Sequence, residues 1–267
     1  MNKYIKADLY YFFHNKMVAG VFIILSLISS VLPWIHNSFG DYKTLSASEY
    51  VASLNLSQHS FYDIKTTGML FISAIISTVL VKGFFKNRIY IQQEIKNGEI
   101  IIPIVAMMVA DLLIIVMYML PFFLIMTALS VINGTYSMAD AGNSYIFLLM
   151  LLGMITINMM HIAMNVLWIS FVTRNEIVGI IVTIVLELLK TNLISMLFLG
   201  GGGNVMWVPY GLFPALNCQE MTFRAMNIHT NVPVLFDFIL PFIGFIFDFL
   251  ILGVILIFAE KRRRKEG

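Results

Sequence analysis

The chain has 267 residues, of which 59% are hydrophobic and only 12% charged, against roughly 45–50% and about 25% in soluble domains. A soluble globular enzyme of this length would need far more polar surface over a single core, so the excess apolar material is expected to face lipid. The formal charge of +2 is small, and in a membrane protein its distribution along the chain carries more information than its total.

Residues 1–16 place Ile5, Leu9, Phe12 and Phe13 at helical spacing, with Lys3, Lys6, Tyr10 and His14 marking another face. This pattern predicts an interfacial helix, apolar side down in the headgroup plane. It serves either as a topology signal or as an elbow helix packed against the bundle. A first apolar stretch of about 17–35 follows, closed by Leu32-Pro33-Trp34. No small-residue cleavage site follows it, so it is expected to stay as a span and not to leave as a signal peptide. Five further stretches have the roughly 20 apolar residues that a helix needs to cross the hydrocarbon. They cover about 67–85, 100–132, 144–172, 177–199 and 235–259.

The expected class is therefore all-α: one polytopic membrane domain over 1–267 with six spans. Thirteen Lys and Arg fall in the two termini, the 82–99 segment and the turn at Arg174. Only Lys43, Lys65 and Arg224 fall in the opposite loops, and Lys190 lies within a span. Basic residues are retained on the cytoplasmic side, so both termini are expected there, with the chain multi-pass in the cytoplasmic membrane.

The 82–99 segment mixes charge with apolar residues: Phe84, Phe85, Lys86, Arg88, Ile89, Ile91, Glu94 and Ile95. It predicts a short amphipathic cytosolic helix ended at Asn97-Gly98, with Pro103 early in the next helix. A mere turn would not need that apolar content, so the segment reads as a partner-binding element, with a lipid-lying helix as the alternative. The outer segment 200–234 opens on four glycines and continues with Trp207, Pro209, Tyr210 and Phe213. It is expected to dip back toward the outer leaflet. Asn55-Leu56-Ser57 and Asn133-Gly134-Thr135 match the glycosylation triplet, a pattern common by chance.

Ionisable residues within spans cost about 2.5–3.5 kcal/mol on insertion scales and each needs a partner or a cavity. Glu187 and Lys190 are three apart on one helix and can pair. Asp111 could meet a basic residue or take up a proton. Asp248, among Phe245, Phe247 and Phe249, is expected to face protein. Asn158, His161 and Asn165 form a polar stripe suited to interhelical hydrogen bonds.

The single cysteine, Cys218, and five scattered histidines write no disulfide or zinc scaffold. The sequence contains no P-loop, no H-E-x-x-H, no G-x-S-x-G and no complete dinucleotide fingerprint. Catalytic residues, metal ligands and nucleic-acid contacts are accordingly not expected.

A basic amphipathic N-terminal helix, six spans, an amphipathic cytosolic segment between the second and third, and a partly re-entrant outer segment between the fifth and sixth together resemble the ABC type-2 transmembrane permeases of bacteria. The resemblance is closest to the small peptide-export and bacteriocin-immunity members and covers nearly the whole chain. Lys86-Asn87-Arg88 through Asn97-Gly98 corresponds to the family's cytosolic coupling segment. Where many members continue with Arg and Lys, this chain continues Glu99-Ile100-Ile101-Ile102.

The resemblance implies a half-transporter without enzymatic activity of its own. A second permease, identical or paralogous, would complete the pathway, and two copies of a separate ATP-binding subunit would hold ATP and Mg. The cargo would be a peptide or other amphipathic substrate. Two other readings remain open at this point: an ion-coupled secondary transporter using Asp111, Glu187 and Asp248, and a non-transporting immunity or sensor protein that binds antimicrobial peptide.

Overall fold

The structure, a computed structural model, describes residues 2–38, 59–86, 101–132, 141–199 and 235–266. Among them are seven helices and no strand: α1 Asn2–His14, α2 Lys16–Ser38, α3 His59–Lys86, α4 Ile101–Ile132, α5 Ala141–Thr173, α6 Glu176–Leu199 and α7 Leu235–Glu266. Residues 200–234, both glycosylation triplets and the expected partner-binding segment beyond Lys86 lie outside the described residues.

Three helices are long and apolar enough to cross a membrane, over Ile102–Pro121, Thr156–Thr173 and Phe242–Ala259. A fourth arises if Lys3–His14 and Lys16–Ile28, bent by 82° at Asn15, count as one broken span. The expected third, fourth and sixth spans thus have counterparts in α4, α5 and α7. The helices also run past the apolar stretches: α3 begins eight residues before the expected 67, and α7 carries the basic tail as far as Glu266. Polar residues continue a helix as readily as apolar ones do, so hydropathy marks the hydrocarbon crossing and not the helix end.

The 82° bend has a local cause. Asn15 is the one non-helical residue between α1 and α2, and its side-chain Oδ1 accepts the Val18 N–H while its carbonyl accepts that of Ala19. Asparagine is among the preferred N-caps because its side chain satisfies a backbone donor that the new helix leaves open. The α5–α6 turn is fixed similarly. Arg174 takes the left-handed conformation at φ 54°, the Asn175 N–H reaches back to the Ser170 carbonyl at 3.2 Å, and Asn175 Oδ1 caps α6 through the Ile177 and Val178 amides. This is a Schellman termination followed at once by an N-cap, and it folds α6 back along α5.

Helices α4 and α5 form the centre. Helix α5 packs on α3, α4, α6 and α7, while α1 and α2 lie on α4. The shared core contains Phe12, Ile76, Leu80, Ile104, Met107, Ile114, Ile115, Met159, Met164, Leu167, Trp168 and Phe171. By contrast α7 turns Phe242, Phe247, Leu250, Val254 and Phe258 outward. An exposed apolar band of that length has lipid as its natural solvent.

Two glycines set helix separations. At Gly179 an added Cβ would sit 1.8 Å from Ser170 Oγ and 3.0 Å from the Val166 carbonyl, so α6 approaches α5 almost backbone to backbone. Such contacts between small residues drive helix association where no hydrophobic effect operates. At Gly83 the added Cβ would meet the Tyr11 ring at 2.6 Å, which seats α1 against the last turns of α3.

Candidate functional site

One face of α5 carries a stripe of buried polar residues. Asn158, His161 and Asn165 recur at intervals of three and four, share a stripe along two turns, and are all buried. Their partners are on different helices. His161 Nε2 lies 2.5 Å from Asp248 Oδ2 on α7. The imidazole is 1% exposed and the carboxyl 27%, so the pair spans from the packed interior to the edge of the bundle. Phe245, one turn before Asp248, meets the His161 ring edge-on at 6.2 Å, and Trp168 packs against Phe249 at 5.3 Å. These aromatic contacts fix the rotation of α7 and aim Asp248 at α5.

Further along α5, Asn165 Nδ2 donates to Glu187 Oε1 on α6 at 3.4 Å. Glu187 is 1% exposed. Gly179, Thr183 and Glu187 are each one turn apart, so the close approach at Gly179 carries Thr183 and Glu187 onto the same interface. Thr183 is buried, and its hydroxyl has no hydrogen-bond partner among the described residues. Helix α5 therefore holds α7 through a histidine–carboxylate contact and α6 through an amide–carboxylate contact.

A second polar point lies where α3 meets α4. Ser77 Oγ donates to Asp111 Oδ2 at 2.9 Å, and Asp111 is wholly buried. Of the two fates open to Asp111 in the sequence, contact with a basic residue is not realised among the described residues. Ser26, on α2, donates to the Tyr118 carbonyl on α4 at 2.8 Å.

The remaining expected residues divide. Phe84 and Phe85, read as part of a partner-binding element, meet the Phe171 ring at inclined angles with centroids 5.2 and 5.4 Å away and pack against the core as half-buried residues. Lys86 is exposed at the end of α3. Arg88, Ile89, Ile91, Glu94 and Ile95 lie outside the described residues, and so does the side chain of Lys190, the expected partner of Glu187.

Sequence reasoning passed over Asp8, Ser77, Thr183 and the Gly179–Ser170 contact. Asp8 had a visible signal: with Ile5 and Phe12 it forms an i, i+3, i+7 stripe, which places an acid on the apolar side of an amphipathic helix.

No group of three potential metal ligands occurs among the described residues. The chain matches no family model, no curated protein and no solved structure. What the geometry offers chemically is a set of carboxylates, each held by a neutral or basic donor from another helix, inside an apolar bundle. Such an arrangement positions helices and can present polarity to something passing between them.

Proposed function

We propose that the chain is the membrane-spanning permease subunit of an ABC exporter, moving a peptide or other amphipathic substrate with ATP hydrolysed by a separate subunit. The observation that carries this reading is the 82° bend at Asn15. It turns a basic amphipathic helix off the first apolar helix and lays it against α3 and α4. An arm so placed packs against the last turns of α3 and along the first half of α4, the two helices that flank the 82–99 segment, where an ATPase would dock. Six spans, α1 as an elbow in the headgroup plane and both termini in the cytoplasm complete the arrangement. The absent P-loop puts ATP and Mg on the partner, two copies of which would serve a pair of permeases.

Within this scheme closure of the ATP-binding subunits pushes on the 82–99 segment and tilts α3 against α4 and α5, a rigid-body movement of packed helices. The His161–Asp248 and Asn165–Glu187 contacts are the joints that such tilting must carry or break. The test is replacement of Ile89, Ile91 and Ile95 by Ser, sparing Phe84 and Phe85 because they pack against Phe171. A nucleotide-binding subunit should be lost from the purified complex while the permease stays inserted and monodisperse. Retention of that subunit would contradict the coupling assignment.

A further inference from the structure

The α1–α3–α4 junction contains a buried carboxyl that the proposed export scheme does not use. Asp111 lies about 15 Å along α4 from its start and has no exposed surface. Ser77 Oγ is its hydrogen-bond donor, on Oδ2, and Oδ1 has no hydrogen-bond partner among the described residues. Ser73 is one turn before Ser77 on the same face of α3, fully buried, with an uncommitted hydroxyl. Asp8 shares a face of α1 with the buried Phe12, and α1 packs against both α3 and α4.

The surrounding helices bring no compensating charge. Among the described residues, Lys3, Lys6 and His14 on α1, Lys16 at the start of α2, and Lys82 and Lys86 on α3 are exposed. On α5, His161 is engaged with Asp248. A bare carboxylate with a single hydrogen bond and a second acid nearby costs several kcal/mol in such a setting. Either a cation or a proton must neutralise it, and the described residues lack the three-ligand group that would hold a metal.

We propose that Asp111, with Ser77 and Asp8, is a proton-binding site that couples the docking of α1 to protonation. In the protonated state Asp111 is a neutral acid and Ser77 remains its donor. Above about pH 7, where Asp8 is also ionised, loss of the Asp111 proton leaves two carboxylates at the α1 interface, and the repulsion lifts α1 from α3 and α4. Burial already pushes the Asp8 carboxyl up to about 7, in keeping with an environment that favours neutral acids. The site is independent of any ATPase, so it stands or falls separately from the export assignment.

The test uses the full chain in nanodiscs and dicyclohexylcarbodiimide, an apolar reagent that modifies protonated carboxyls within lipid, with mass-spectrometric mapping from about pH 6 to about pH 9. Asp111 should be modified at neutral pH and lose reactivity as the pH rises. Asp111→Asn should abolish that label while still accepting the Ser77 bond. Asp8→Asn should move the midpoint down by roughly one unit or more, since a neighbouring like charge is removed. An Asp111 unmodified throughout the range overturns the proposal, and the wild-type profile decides this even if a variant fails to fold. A midpoint unmoved by Asp8→Asn overturns the sharing between the two acids. Protection by sodium relative to choline at fixed pH assigns the site to a cation instead.

Discussion

Replacing Gly179 by Ala should pry α6 from α5 and unseat Glu187 without substituting any polar residue. The new methyl carbon would lie 1.8 Å from Ser170 Oγ, 2.9 Å from Ser170 Cβ and 3.0 Å from the Val166 carbonyl oxygen. The hydroxyl can rotate away, but the Cβ and the backbone carbonyl cannot. Restoring ordinary contact near 3.4 Å requires the helices to part by about half an ångström along their interface. Overpacking of this kind costs about 1–3 kcal/mol, and here the displaced helix also carries the 3.4 Å Asn165–Glu187 contact, which is already long and would be lost. The assay is thermal unfolding of the purified protein in detergent, together with Ser170→Gly and the double variant. Removing Ser170 Oγ and Cβ takes away two of the three obstructing atoms, so the double variant should recover more than half of the loss, a coupling of about 1 kcal/mol or more. An unchanged unfolding midpoint for Gly179→Ala, or strictly additive effects in the double variant, would refute the close approach.

Further outcomes follow from the same geometry. Asp248→Asn should lower the yield of folded protein by leaving His161 without its carboxylate, and a second change, His161→Gln, should recover part of it, as measured by gel filtration; no recovery would mean that the pair is not an interhelical joint. Glu187→Gln should be tolerated better than Glu187→Leu, because Gln Oε1 still accepts from Asn165; equal loss in both would argue against that hydrogen bond. The folded state holds the Asp8 proton up to about pH 7, whereas an undocked α1 releases it near 3.8. The docked form therefore binds the extra proton between these values, and the Asp8 contribution to docking weakens as pH rises from about 4 to about 7 and levels off above. Hydrogen exchange over residues 2–14, corrected for the intrinsic rate, should show this slope in the wild type and lose it in Asp8→Asn. Cysteines placed at Ser57 or Asn204 in a Cys218→Ser background should react with an impermeant thiol reagent in intact cells, and those at Asn87 or Glu266 should not; the reverse would invert the orientation.

Much of the scaffold is legible in the sequence because hydropathy is a strong and local signal. The Ile101–Ile132 helix follows the expected third span almost residue for residue, since a run of apolar residues in lipid has helix as its only open-ended solution. The polar stripe on α5 was equally readable from its spacing. Its partners were not, because a period of 3.6 places Asn158, His161 and Asn165 on one face without saying which helix lies opposite. His161 finds Asp248, 87 residues away, only once α7 has docked. The contact from Asn165 to Glu187, 22 residues on, was equally beyond a spacing argument. The sharp turn at Asn15 was hidden for another reason. A single asparagine between two helical patterns carries little weight in a window average, although its side chain decides where one helix stops and the next begins.

The most direct measurement is the composition and ATPase activity of the complex purified through a tag on this chain from membranes of the cells that natively express it. A permease of the proposed kind brings down a stoichiometric subunit with a P-loop, and the lipid-reconstituted complex hydrolyses ATP at a rate that falls when Ile89, Ile91 and Ile95 are made polar. Purification of the intact, monodisperse chain with no nucleotide-binding subunit and no ATPase activity would contradict the assignment.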